Sequence, residues 1–349
     1  MPDEQRERSE QRGRHGRRGQ SGQSRLTTPP VARLIVMIGV LCVSSSAILV
    51  RLSDVHHVAA AGYRMLFSVV LMLPTLLLQV RARGSAPAGP VAPRTPGSPE
   101  TLVRPETSER PVAPAGSLAS ARIWSVVSGV FLALHFGFWF KALELTSVSS
   151  ATVLVNTHPV FVTALGWLLL RERVRRAAVL WMLAAMAAGA GLAIGGTGFG
   201  ATAAEGNLLA LGGAFFVSFY IIIGRQVRRQ LSVVHYTFLV YLASAAVLML
   251  FGLVTGVDLG PYAPREYIIL LALAVFPTLL GHSVFSWALK YLKMSFVSTA
   301  VLGEPVFATI LAMLLFAEIP TLGTVLFGAI VIFSIYRFSV ADTVADKLN

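Results

Sequence analysis

Ten blocks of mostly apolar residues, each about as long as a bilayer is thick, follow one another along the chain. They run Val31 to Val50, Val58 to Val80, Ile123 to Phe140, Ser150 to Leu170, Ala177 to Ile194, Gly206 to Gly224, Tyr236 to Val254, Tyr267 to Leu289, Ser295 to Phe316 and Ile319 to Phe338. A helix needs roughly 20 such residues, at about 1.5 Å each, to cross the hydrocarbon, where no lipid atom can pair with an open backbone N–H or C=O. The pattern predicts an all-α membrane protein with ten transmembrane helices.

The segments outside these blocks are polar. Residues 1–30 hold seven Arg against four acids, with many Gln, Gly and Ser, and are expected to form a disordered basic cytoplasmic arm. The block that follows has full spanning length and no small-x-small cleavage site after it, so it is expected to persist as the first helix. The one long connection, 81–122, carries eight Pro with Gly, Ser and Ala and no apolar period. It is expected to be a mobile cytoplasmic linker with no fold of its own. Residues 339–349 read as a cytoplasmic tail.

Composition agrees with the pattern. The 349 residues are 55% apolar and 13% charged, with a mean hydropathy of +0.69, too apolar for a chain that fills one core in water. The net charge of +12 would point to nucleic acid in a soluble domain. Here most Arg and Lys lie between apolar blocks, so no nucleic-acid partner is expected. With the N-terminus inside, fifteen cationic residues fall in cytoplasmic connections, from Arg81 to Lys293, against Arg51, Arg265 and the borderline Lys141 opposite. Short loops rich in Lys and Arg stay on the cytoplasmic side, so both termini are expected there. The preference for Arg over Lys points to a GC-rich bacterial genome, and with no organelle address the expected location is the cytoplasmic membrane. Cys42 is the only cysteine, and neither a phosphate-binding glycine loop nor metal-ligand spacing occurs, so no cofactor or metal is expected.

Sliding the chain along itself by 146 positions lays Ala142–Glu172 on Ala288–Glu318 with twelve identities in 31. Leu and Val matches carry little weight. Ser149 with Ser295, Pro159-Val160-Phe161 with Pro305-Val306-Phe307, Thr163 with Thr309 and Glu172 with Glu318 carry more. The chain therefore reads as two five-helix repeats, 31–194 and 206–338. Five is odd, so the second must enter the membrane from the opposite side, as in secondary transporters that alternate access around a central site.

The hairpin ending in Asn156-Thr157-His158-Pro159-Val160-Phe161 and Leu170-Arg171-Glu172, with its second copy Gly303-Glu304-Pro305-Val306-Phe307 closing at Glu318, resembles the drug/metabolite transporter superfamily, EamA type. The resemblance spans about 31–338. It implies a central cavity lined mainly by spans one, three, four, six, eight and nine, and a proton-linked or facilitative carrier of metabolites. The long 81–122 insertion departs from the short link usual there.

Ionisable side chains within hydrocarbon cost about 2.5–3.5 kcal/mol on insertion scales, so each is a functional candidate. His158 and Glu304 are the clearest: both precede a proline, both fall near mid-span, and the same offset relates them. Pro159 and Pro305 remove an N–H and loosen the preceding turn, marking both as helix breaks. Glu304 is the candidate to carry a coupling proton or meet a cationic substrate, with His158 as its electrostatic partner; the bland alternative makes both packing residues satisfied by neighbouring helices. Ser149, Thr152, Asn156 and Thr163 form a polar stripe from which an ideal helix turns His158 about 180° away, leaving open which face lines the cavity. His135 and Trp139, Tyr220, and His282 with Trp287 complete the candidate substrate-binding or coupling set. Rings there would favour an apolar, aromatic or cationic substrate. Arg64, six residues inside its span, is expected to snorkel outward as an anchor or structural pair. Gly191 and Gly195 give a G-x-x-x-G step expected to permit close helix contact.

The function expected is secondary active or facilitative transport of a small organic solute, a metabolite, drug or amino acid, by a permease that is not an enzyme. Proton coupling and association into a homodimer stay open. An integral-membrane enzyme would need convergent catalytic groups, for which adjacent His56 and His57 are the only hint. A sensor or scaffold would need a soluble module.

Overall fold

The computed structural model describes residues 29–84, 118–145, 151, 154–197, 204–317 and 319–346. The basic arm to residue 28, the linker interior 85–117, and Ser149, Thr152 and Glu318 of the repeat alignment lie outside them. All regular structure among the described residues is helical. In chain order these are α1 Pro29–Arg51, α2 His57–Gly84, α3 Leu118–Leu145, α4 His158–Leu165 with a π-helical turn Gly166–Leu170, α5 Arg176–Thr197, α6 Ala204–Val227 and α7 Val233–Thr255. Next is α8, which starts as Pro264–Leu273, widens to a π-helix over Ala274–His282 and ends as Ser283–Ala288. Then come α9, Met294–Ala300 and Glu304–Phe316 joined by the 3-10 turn Val301–Gly303, and α10, Leu322–Asp346.

Eight of these are long and apolar enough to cross a membrane, whereas His158–Leu170 and Arg176–Gly191 are apolar but shorter. The fourth and ninth spans are composite, with a new helix opening at His158-Pro159 and at Glu304-Pro305. Pro159 and Pro305 each sit in the first turn of a new helix, where a missing N–H does no harm. The linker is also shorter than 81–122: α2 runs through Gly84 and α3 begins at Leu118, five residues ahead of Ile123.

The helices pack in reciprocal pairs. The most extensive contacts join α3 to α6, α5 to α10, α2 to α7, α3 to α7 and α1 to α8, with α4 on α6 and α9 on α1 as a further matched pair. Small residues set the closest approaches, as expected where lipid gives helices no hydrophobic reason to associate. A Cβ on Gly129 of α3 would stand 2.4 Å from the Val240 carbonyl oxygen of α7. One on Gly191 would meet the Phe327 ring at 2.6 Å, so half of the G-x-x-x-G step does sit at a tight contact, between α5 and α10. The core between the helices buries Tyr236, Tyr241, Met65, Leu132 and Phe338 almost completely. Deep hydroxyls are satisfied locally or across helices: Ser44 and Ser125 donate to the carbonyls four residues earlier, and Ser128 bonds the Tyr236 hydroxyl at 2.8 Å.

Candidate functional site

A cavity of about 100 Å3 opens where α4 and the second part of α9 begin. Its wall draws on α1, α2, α3, α4 and the residues just before it, α6, α8 and α9, and on no described residue of α5, α7 or α10.

His158 is the first residue of α4 and is buried. Pro159 deprives the Val155 carbonyl, four residues earlier, of its usual helical donor, and the His158 ring takes that place: Nδ1 donates to it at 3.2 Å. Asn156 lies in the turn before the helix and shares the wall with His158. The 180° separation expected between them fails because residues 156–157 form a turn, so no single helical frame relates them. Thr163, further along the same stripe, hydrogen-bonds Met182 of α5 and faces away.

Glu304 occupies the equivalent place in the second copy, as the first residue of Glu304–Phe316, where the N-terminal end of a 13-residue helix favours a negative charge. Its carboxylate lines the cavity and makes no hydrogen bond among the described residues.

Arg64 overturns the expectation of an outward-snorkelling anchor. It is 3% exposed and lines the same cavity. The reason lies in the π-helical stretch of α8: the Thr278 hydroxyl donates to the Leu273 carbonyl at 3.0 Å, and the Thr278 hydroxyl oxygen accepts from Arg64 Nε at 2.6 Å. Nη1 donates to Ser46 at 3.2 Å, and the guanidinium lies 5.0 Å from the centre of the Phe136 ring. Nη2 is buried without a partner. Thr278 and Ser46 are 214 and 18 residues distant, so no local pattern announces them. The one sequence signal was an Arg with apolar neighbours on both sides.

His135 donates from Nδ1 to the Gly213 carbonyl at 2.9 Å and stacks on Trp139, the planes 5° apart and the centroids 6.4 Å. Trp139 Nε1 is buried and unpaired. His282, the last residue of the π-helical stretch, meets Phe136 and Phe285 edge-on. The Tyr220 hydroxyl bonds Ser286 at 2.9 Å. Seven of the eight candidate residues thus share one wall. Trp287 does not: its ring packs on Tyr291, 5.0 Å away, because the next position along α8 faces another neighbour. Nor do His56 and His57 converge on a reacting centre. His56 Nδ1 accepts from the Val58 N–H at the start of α2, and His57 stacks on Phe140.

Polar contacts tie the helices together at both ends of the bundle. At one end Arg225 donates to the Leu289 and Leu292 carbonyls at 2.6 and 3.0 Å and lies 3.8 Å from Glu172, Arg228 donates to the Ser286 carbonyl at 2.9 Å, and Lys293 pairs with Asp342 at 3.1 Å. At the other, Ser53 donates to Glu266 at 2.7 Å, Arg265 to the Leu52 carbonyl at 3.0 Å and Tyr63 to the Leu259 carbonyl at 2.7 Å. In that second cluster burial, reinforced by the Asp258 carboxylate, pushes the Tyr262 hydroxyl up to about 12, so it stays protonated and donates to the Asp258 carbonyl.

Comparison with known proteins agrees with this geometry. A crystal structure of another protein superposes with a TM-score of 0.69 at 18% identity, covering 90% of this chain and 99% of that one, a likeness of fold alone. No curated protein matches in sequence. The sequence pattern of the EamA-like transporter family matches twice, at residues 31–194 and 204–340. The chain therefore belongs to the EamA-like transporter family of the drug/metabolite transporter superfamily, and is a multi-pass membrane protein of a family that moves small molecules.

Proposed function

We propose that the chain is a secondary transporter that carries a small organic solute through the central cavity by alternating access, and that it has no enzymatic activity of its own. In this reading it crosses the cytoplasmic membrane ten times, as repeats 31–194 and 206–338 inserted in opposite senses, with both termini on the cytoplasmic side. The basic arm, the linker and the tail then lie on that side too. His158–Leu170 with the turn before it, and Arg176–Gly191, supply the two short crossings.

One observation carries the reading: a cavity at the junction of two proline-broken helices, with Glu304 and His158 opening those helices exactly one repeat apart. Broken helices meeting near mid-membrane are a recurrent way to build a solute or ion site. The reciprocal packing supports a pseudo-dyad, since α3 on α6 has its counterpart in α8 on α1, and α4 on α6 in α9 on α1. The two polar clusters at the bundle ends serve as the gates: Arg225, Arg228 and Lys293–Asp342 toward the cytoplasm, Ser53–Glu266 and Arg265 outside. Glu304 is the coupling site if protons drive transport, because its carboxylate is the only acid on the cavity wall among the described residues.

Purified protein in proteoliposomes tests this, with uptake and efflux followed for amino acids, cationic drugs and nucleotide sugars, with and without a pH gradient. Flux of one class above empty vesicles is the expected result. Flux of none, with the protein folded and correctly inserted, overturns the reading.

A further inference from the structure

We infer that Arg64 and Glu304 form a two-point clamp for a small zwitterion, Arg64 holding the carboxylate and Glu304 the protonated amine. This rests on the transport reading for its biological use, and on the cavity alone for its chemistry.

Arg64 is nearly fully buried, yet its hydrogen bonds go only to neutral hydroxyls, through Nε to Thr278 and Nη1 to Ser46, and Nη2 is left unbonded. Glu304 shares the cavity wall, and the two charges act on each other electrostatically without closing into an ion pair. A buried cation and a half-buried carboxylate on one cavity wall, not closed into an ion pair, leave each short of a partner, and low polarity makes that shortage expensive. A molecule carrying both charges satisfies them together, and enters and leaves with no net charge. A monoanion or a monocation would satisfy one group and leave the other uncompensated.

The directional chemistry fits the same assignment. A guanidinium offers a planar fork of N–H donors that matches a carboxylate. The buried, unpaired Trp139 Nε1 lines the same cavity and supplies a further donor. Ammonium has three donors, and the Glu304 carboxylate has all its lone pairs open. The wall also carries the aliphatic side chains of Val43, Val155, Val217, Ile221, Val297 and Val301, which suit a short hydrocarbon body. At about 100 Å3 the cavity suits a small occupant in this conformation.

The test uses five probes of similar size: glycine, β-alanine and γ-aminobutyrate as zwitterions, propionate with only the carboxylate, and propylamine with only the amine. Binding to the full-length detergent-solubilised protein is measured by calorimetry, and flux in proteoliposomes. The wild type is expected to bind at least one zwitterion at least tenfold more tightly than propionate or propylamine. Arg64→Gln is expected to lose about 10- to 100-fold in zwitterion affinity, the worth of one charge-assisted contact, while propylamine binding stays or improves. Glu304→Gln is expected to shift preference the other way, toward propionate. Arg64→Lys keeps the charge without the fork and should fall between, guarding against a folding defect in the glutamine variant. Wild-type zwitterion affinity in Arg64→Gln, or no binding of any zwitterion to the wild type, overturns the clamp. Flux of a solute lacking a carboxylate, unaffected by Arg64→Gln, overturns the clamp and leaves transport standing; zwitterion binding without any flux does the reverse.

Discussion

Arg171 and Ala317, 146 positions apart, both hold left-handed backbone, with φ of 55° and 54°, and they are the only non-glycine residues with positive φ among the described ones. Each ends the second part of a broken helix, Arg171 after Gly166–Leu170 and Ala317 after Glu304–Phe316. The side chains differ entirely, one a cation and one a methyl group, so what the two copies keep in common is the path of the backbone. A left-handed position costs an L-residue about 1–2 kcal/mol. Glycine there would relieve it, less about 0.5–1 kcal/mol for its freedom in the unfolded chain. Ala317→Gly is expected to stabilise by about 0.5–1 kcal/mol, read as a higher thermal midpoint in detergent.

Glu304→Gln is expected to abolish the response of flux to an imposed pH gradient. Whatever exchange the variant retains should no longer follow pH, since the amide keeps the shape of the carboxyl but cannot give up a proton. Flux measured across a series of internal and external pH values checks this, and an unchanged pH response would remove Glu304 from any coupling role.

The α3–α7 crossing supplies a steric prediction with an internal control. Gly129→Val puts a branched side chain against the Val240 carbonyl and Ala243, and is expected to destabilise by about 1–3 kcal/mol or more. Gly137, on the same helix, has nothing within 4 Å of its would-be Cβ, so Gly137→Val should shift the thermal midpoint far less.

Lys293 and Asp342 tie the start of α9 to the end of α10, and the carboxylate is the more buried partner, at 3% against 19% exposure. Lys293→Ala removes this cation from a nearly buried carboxylate and is expected to cost about 1–3 kcal/mol, reduced by the lysine's partial exposure. Adding Asp342→Asn should restore part of the loss. Thermal melts of the four proteins in the cycle measure the coupling directly.

Helix content and approximate span positions were legible because hydrocarbon imposes length and apolarity on each crossing. The repeat was legible at Pro159 and Pro305, where a chemical peculiarity of the backbone marks equivalent places. His158, Asn156, His135, Trp139, Tyr220, His282 and Glu304 could be singled out because polar or aromatic groups stand out against hydrocarbon. Their convergence could not be read, since it depends on which faces meet. Trp287 shows the limit: one position past Ser286 on α8 separates a wall residue from a packing residue. Arg64 was misjudged because its depth from the helix end was legible and its partner was not; Thr278 lies 214 residues away on α8. The 156–157 turn escaped because helical periodicity presumes the continuity that Pro159 removes.

The pair α5 and α10 stands apart from the cavity. Gly191 seats the Phe327 ring, Trp181 meets Phe333 edge-on, and Arg337 lies over Trp181 at 5.0 Å, all between these two helices. Because neither lends a described residue to the cavity wall, sequence drift along this seam can adjust how robustly the protein endures in its bilayer without reshaping that wall. The cavity and the durability of the bundle thus rest on different helices, and each can evolve while the other is held still.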